Sequence, residues 1–506
     1  MYNLKKNITY SYLAVIIQIF VVIVVTRLSL NYFGTEQYGL FSIVTSIISY
    51  LTLANFGIPW AVATMYAKLD DIPRKILLIK KGSFIMIFFS LILVFVLVTI
   101  SIFYPNAVRI VGDIPNNILT IARWFIFINI LAFIIFLPFS LFNQVLIFSN
   151  LSYVVKILDV FRNIGNLLII ILVIIMGYGL INYALFTGVI LIFTGVLYVV
   201  IFYKFINKQK HDLTKELNSC AKKHSGFDAA TYKHILVSGS YFWFNGLAGV
   251  IIMSTDALVI SHMLGLDSVT KYSILATFLG LGLTLISQIM NVVNPLYPQL
   301  IIKNKNKSLL KILTIDMVSI LTFIGVSFSI VVCLFGKDII NIWIGSLNIY
   351  SGDLAILAMS SYFMFLMISL VPYSILVAMG EAKSIFRMTL CEAILNLPLS
   401  ICLTKEIGIT GVFLGSCIAN GVVTVFWSLY LVQSKYKKEV SFEYIFFIKK
   451  IVVILFILIG IYFINTSDLT LISKLLACVL VLLLNIFFHR KSISNIYYYL
   501  LRVKDV

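Results

Sequence analysis

Charge is scarce in this chain. Only 11% of its 506 residues are Asp, Glu, Lys or Arg, while 61% are hydrophobic. Soluble domains carry about 25% charged residues, so a soluble globular fold is excluded. Acidic residues are scarcer than basic ones, 20 against 38, which leaves a net charge of +18. Cysteine is limited to six residues with no C-x-x-C pair. Cys333, Cys391, Cys402, Cys417 and Cys478 fall in apolar stretches and Cys220 in a basic one, so neither a disulfide framework nor a thiolate metal site is expected. The five His lie in loops or at the ends of apolar runs, without metal-ligand spacing. No G-x-x-x-x-G-K-[ST] loop occurs, and no stretch outside the apolar runs is long enough for a catalytic domain. The chain therefore reads as a non-enzyme without a metal or organic cofactor. Lys5 and Lys6 precede a crossing-length run with no small-residue cleavage site, so no removable signal is expected.

Apolar runs are what fills the chain. Fourteen segments near the ~20 residues needed to cross a hydrocarbon core alternate with short polar connections: 9–30, 38–63, 82–104, 118–141, 153–176, 180–203, 235–262, 271–297, 312–335, 353–377, 384–404, 409–432, 446–464 and 469–488. The odd-numbered connections are nearly bare of Lys and Arg; the even-numbered ones and both tails hold most of the 38. Positive residues favour the cytoplasmic side, which predicts an even span count and both termini in the cytoplasm. These basic connections face an anionic inner leaflet, so the net charge implies membrane lipids as partners rather than nucleic acid.

The longest basic connection separates span six from span seven. It divides the chain into an N-lobe (1–203), a cytoplasmic linker (204–234), a C-lobe (235–433) and a two-span appendix with a C-tail (434–506). A weak internal repeat supports two six-helix lobes. Gly34 corresponds to Gly265, and at the same offset Ser42, Ser46 and Ser49 fall on Ser273, Thr277 and Gly280; Asn166 falls on Asn396 one residue away from that offset. Paired repeats in transporters usually enclose a substrate path. The expected fold is all-α, polytopic, with two pseudo-symmetric lobes.

Polar residues inside the spans mark the candidate path. Ser42, Thr45, Ser46, Ser49 and Thr52 share one helical face in span two. Span eight repeats the pattern with Ser273, Thr277, Gly280 and Thr284. Such a face looks at protein or water, because lipid has no hydrogen-bonding partner to give; helix packing through small residues is the plainer reading. In span five Asp159, Arg162, Asn163 and Asn166 share a face, with Lys156 one turn earlier. An ionised group at a span centre costs about 2.5–3.5 kcal/mol, so this face is expected to be wet or protein-lined, unless the span starts later and the charges sit among headgroups. The repeat puts Glu392 at the position of Arg162 and Asn396 at that of Asn166, with Arg387 nearby. Arg27, Arg123 and Asp256 lie toward the outer ends of spans one, four and seven, either as lumen walls or as structural ion pairs. Asp316 near the start of span nine is a weaker site for proton handling. Pro59, Pro138, Pro372 and Pro398 fall within or near span ends; Pro138 and Pro372 occupy nearly matching places in the two halves and are the hinge candidates.

The block Tyr32-Phe33-Gly34-Thr35-Glu36-Gln37-Tyr38-Gly39-Leu40-Phe41, followed by Tyr50-Leu51-Thr52-Leu53-Ala54-Asn55-Phe56-Gly57-Ile58, resembles the opening of Wzx-type polysaccharide flippases. Those proteins read LG.E.YGL and then L.DFG; here Asn55 stands in place of the acid. Asp256 to Ile260, Gly265 and Tyr272-Ser273 are similar to that family's seventh and eighth spans. The resemblance implies the two-lobed, MATE-like fold of the multidrug/oligosaccharidyl-lipid/polysaccharide exporter (MOP) superfamily. It also implies alternating-access transport of undecaprenyl-pyrophosphate-linked repeat units across the bacterial inner membrane for O-antigen, capsule or exopolysaccharide. A cationic lumen, proton or sodium coupling, and polymerase and chain-length proteins as partners come with it. The alternatives are a drug/cation antiporter, a lipid II flippase, and a membrane scaffold for glycan-assembly enzymes. The excess of Arg and Lys over acids among the intramembrane charges favours an anionic cargo.

Overall fold

The computed structural model describes residues 2–502 apart from 68, 70, 111, 113, 150, 217–228, 294–296, 298–309, 311, 346–348, 437–459 and 461–470. Among the described residues the secondary structure is helical throughout, without a strand. Eleven helices among the described residues are long and apolar enough to cross a membrane. The first of them, Tyr10–Asn55, holds two of the expected spans because the chain turns at Gly34 (φ 81°). A shorter apolar helix, Gly249–Leu264, falls on the expected span seven. The thirteenth expected span, 446–464, lies almost wholly outside the described residues. Fourteen crossings are consistent with this arrangement, and the chain is a multi-pass membrane protein.

The described helices fall into two compact units, Met1–Val250 with Gly265–Asp267, and Ile251–Leu264 with Ser268–Val506. The first unit contains α1 (Tyr2–Thr52), α2 (Ile58–Ala67), α3 (Ile72–Phe103), α4 (Leu119–Phe136), α5 (Ser140–Phe148), α6 (Ser152–Ile175) and α7 (Leu180–Glu216). The unit border falls inside α8 (Ala229–Leu264). Its core is apolar: Ile58, Val62, Leu78, Met86, Leu141, Val145, Tyr198 and Phe202 are all buried. Gly34 and Gly265 both take positive φ, 81° and 79°, with nothing close to where a Cβ would sit. The requirement at these corresponding positions is conformational: each ends one helix and reverses into the next.

The second unit contains α9 (Leu266–Val293), α10 (Met317–Ile344), α11 (Asp353–Ala378), α12 (Ala382–Ile407), α13 (Ile409–Ala419), α14 (Phe426–Tyr436) and the C-terminal α15 (Leu471–Arg502). A π-helical turn, Asn420–Val425, links α13 to α14. Gly411 and Gly415, one turn apart, let α13 press against α12, where a Cβ on Gly415 would stand 2.8 Å from the Ser400 nitrogen. This is small-residue packing of the kind lipid-embedded helices use. α15 docks on α10 by polar contacts: Asn485 donates to the Phe323 carbonyl and the Ser327 hydroxyl, each at 3.0 Å. Asn495 donates to Asp316 at 3.0 Å, so a packing contact occupies the residue considered above for proton handling.

The prolines behave differently from one another. Pro138 sits in a 3-10 turn, Leu137–Phe139, that separates α4 from α5. Span four therefore continues past its expected end at 141 to Phe148. Pro372 and Pro398 lie inside α11 and α12, which run through without interruption. Pro59 opens α2 just after a break that divides span two.

Candidate functional site

α6 begins at Ser152, so Lys156, Asp159 and Arg162 occupy its first turns. Their spacing brings both cations onto one carboxylate. Arg162 Nη2 lies 3.4 Å from Asp159 Oδ1, and Lys156 Nζ 3.7 Å from Oδ2. The Tyr198 hydroxyl of α7 donates to Asp159 at 3.4 Å and fixes it against the core. The side chains are 37% (Lys156), 23% (Asp159) and 32% (Arg162) exposed. The three groups sum to one net positive charge, presented on a partly open face. Such exposed pairs contribute at most about 1 kcal/mol to stability, which does not offset the cost of charge in hydrocarbon. The face therefore belongs to water or headgroups, not to acyl chains. Asn163 and Asn166 continue the stripe half-buried, and the Asn166 Oδ1 has no hydrogen-bond partner.

Three hydroxyls of the span-two stripe donate within their own helix. Thr45 donates to the Phe41 carbonyl (2.8 Å), Ser49 to Thr45 (2.9 Å) and Thr52 to Ser49 (2.6 Å). Ser42 is half-buried and Ser46 buried. Span eight does the same: Ser273 donates to Val269, Thr277 to Ser273 and Thr284 to Gly280. Arg123 donates to the Ser101 carbonyl at 2.7 Å, tying the start of α4 to the end of α3. Arg27 is exposed on α1 beside Thr26, whose hydroxyl accepts from Tyr38.

A buried polar ladder lies inside the second unit. Glu392, Asn396 and Ser400 stand one above another on α12. Glu392 accepts from Asn420 Nδ2 at 2.9 Å and from the Thr424 hydroxyl. Asn396 donates to Ser416 at 2.9 Å and accepts from Ser400 at 3.3 Å. Ser416 in turn lies beside Asp256, which accepts from the Tyr272 hydroxyl at 3.4 Å. The π turn faces Asn420 and Thr424 together onto Glu392, a geometry that π-helical turns often provide at functional sites. Two oxygens inside the ladder lack a partner: Asp256 Oδ1, in a residue 7% exposed, and Asn420 Oδ1, in one 3% exposed. Arg387, on the same helix as Glu392, is exposed and does not join them. Among the described residues no three His, Cys, Asp or Glu side chains cluster to hold a metal ion.

The sequence marks Asp256, Glu392 and Asn396 one by one but does not join them into a network, and it does not mark Ser416, Asn420 or Thr424. The usable signal was the i, i+4 pairing of Asn420 with Thr424 and the small-residue repeat Gly411-Val412-Phe413-Leu414-Gly415, which announces close packing.

No family model matches the sequence. A protein of Salmonella typhi named "Putative O-antigen transporter" is 22% identical over 438 residues, covering 84% of this chain and 95% of that protein. The solved structure of the lipid II flippase MurJ, in an inward closed conformation, superposes with a TM-score of 0.68 at 18% identity, covering 96% of this chain and 99% of the other. An inward-facing multidrug resistance MATE family transporter of the MOP superfamily gives 0.64 at 14% identity, over 83% of this chain and 95% of that one. These relatives are named transporters and flippases, in agreement with the reading of a non-enzyme. The chain shares its fold with these solved transporters, and its likeness to the putative O-antigen transporter extends over 84% of its length.

Proposed function

We propose that the protein is a flippase that moves undecaprenyl-pyrophosphate-linked oligosaccharide repeat units across the bacterial inner membrane by alternating access. The product enters O-antigen, capsule or exopolysaccharide. The observation that carries this reading is the net-cationic group of Lys156, Asp159 and Arg162 on a spanning helix, open enough to meet a diphosphate. A pyrophosphate bearing a glycan cannot cross hydrocarbon unaided, and charge-assisted contacts to Arg and Lys are its natural partners. Arg387 serves as a further cation on the cytoplasmic side, with Arg27 and Arg123 nearer the outer side. The hydroxyl stripes of spans two and eight line the polar route. Lobes 1–203 and 235–433, joined by the cytoplasmic linker 204–234, move against each other, with Pro138 and Pro372 as their bending points. Both termini are cytoplasmic, and the polymerase and chain-length proteins of the pathway act on the delivered unit.

The ladder of the second unit is the coupling element in this scheme. Asp256 and Asn420 each hold an unsatisfied buried oxygen, a costly state that a proton or sodium ion relieves. Deletion of the gene tests the whole reading. Surface polysaccharide is lost and lipid-linked repeat units accumulate on the inner face. Unchanged surface polysaccharide contradicts it. The alternative cargo is lipid II, named for MurJ, whose fold the chain shares; rescue of cells depleted of their lipid II flippase distinguishes the two.

A further inference from the structure

Span two is interrupted. α1 ends at Thr52, a 3-10 turn covers Leu53–Asn55, and α2 restarts at Ile58. At the break Phe56 takes φ 49°, alone among the described non-glycine residues in having positive φ. L side chains avoid this region. Asn55 stabilises it, because its Oδ1 accepts from the Gly57 N–H at 2.8 Å. The Phe56 N–H closes the turn onto the Leu53 carbonyl at 3.0 Å. Glycine would take this backbone without strain; the chain places a large ring there instead. Strain of this kind concentrates at functional positions.

The ring is backed by two others. Phe89 lies 4.8 Å away, centroid to centroid, and Trp243 stacks at 6.0 Å with 23° between the planes. Phe56 nevertheless remains 39% exposed. It follows the row Thr45, Ser49 and Thr52 along the same span. Each of those hydroxyls donates into its own helix, which leaves oxygen lone pairs to accept from outside. An acyl chain has nothing to donate to them. A sugar does, and its C–H face carries the positive edge that the negative face of an aromatic ring attracts.

We infer that Phe56, supported by Trp243 and Phe89, is a stacking subsite for a sugar ring of the transported glycan, with the Thr45–Ser49–Thr52 oxygens accepting from its hydroxyls. This rests on the glycolipid reading above and assigns the sugar end of the cargo to span two.

The test is equilibrium binding of two probes to the full-length protein in detergent: farnesyl diphosphate bearing N-acetylglucosamine, and farnesyl diphosphate alone. Phe56→Gly removes the ring while suiting the backbone. It is expected to weaken the sugar-bearing probe by up to about tenfold and to leave the sugar-free probe unchanged. Phe56→Tyr is expected to bind both as wild type does. Phe56→Leu, which keeps bulk without a π face, is expected to follow Phe56→Gly and covers the case in which that variant fails to fold. Wild-type binding of the sugar-bearing probe by Phe56→Gly and Phe56→Leu, or equal loss of both probes, overturns the inference while the flippase reading stands. Failure of the wild-type protein to bind either probe overturns the glycolipid reading and this subsite with it.

Discussion

Asn396 donates to the Ser416 hydroxyl at 2.9 Å, and Ser416 lies beside the buried Asp256. With its oxygen accepting from the amide, the serine keeps its hydrogen to turn toward the carboxylate. Removing that hydroxyl strands the Asn396 amide. Ser416→Ala is expected to destabilise the second unit by about 1–3 kcal/mol, the cost of unsatisfied buried polar groups. Thermal unfolding in detergent, with Ser434→Ala on an exposed site as the control, checks it.

Glu392 holds the other half of the ladder, with Asn420 and Thr424 as donors. Glu392→Gln keeps the volume and one acceptor. It is expected to leave abundance and folding near wild type. If the ladder couples transport to an ion, Glu392→Gln and Asp256→Asn each abolish the dependence of flipping on the proton or sodium gradient. Transport measured in vesicles with and without each gradient reads this directly, and an intact gradient dependence in both variants removes the ladder from the coupling mechanism.

Close packing of α12 on α13 brings the ladder's two sides into reach, and Gly411 with Gly415 makes that packing possible. Gly415→Ala forces the helices apart or displaces the Ser400 backbone. The expected cost is about 1–3 kcal/mol, as for overpacked cores, seen as a lower unfolding temperature. Gly177→Ala destabilises for a different reason, because φ is 67° there while the space is open.

The C-terminal helix is held by Asn485, whose amide bonds α10 twice. Asn485→Ala is expected to lose about 1 kcal/mol per hydrogen bond and to raise protease access to the C-terminal segment. Limited proteolysis of the membrane-embedded protein measures this.

Local features of the sequence were the legible ones. Apolar runs gave the spans because hydrocarbon thickness sets their length. Gly34 and Gly265 gave matching turns because only glycine takes positive φ without strain. The stripe from Ser42 to Thr52 was visible as helical spacing, and its hydroxyls do sit along one helix. Interactions between distant residues were not legible. Tyr198 meets Asp159 across 39 positions, and Thr424 meets Glu392 across 32. No local pattern encodes either pairing. The break at Phe56 was hidden because span two reads as one apolar run from end to end, in which Asn55 and Gly57 are the residues that hint at a turn. Pro138 and Pro372 look alike in sequence, yet one lies at a helix break and the other inside a continuous helix. Whether a proline bends its span is decided by neighbouring helices that re-satisfy the backbone.

Receipt of a diphosphate by the Lys156–Asp159–Arg162 group is the step on which the proposed transport depends. Its most direct measurement is flipping of lipid-linked repeat units by Arg162→Ala, Lys156→Ala and Asp159→Asn proteins at matched abundance. At least a tenfold loss is expected in Arg162→Ala, each charge-assisted contact being worth about 1.5–3 kcal/mol, with a smaller loss in Lys156→Ala and retained activity in Asp159→Asn, where the positive charge grows. Wild-type flipping by Arg162→Ala and Lys156→Ala together contradicts it.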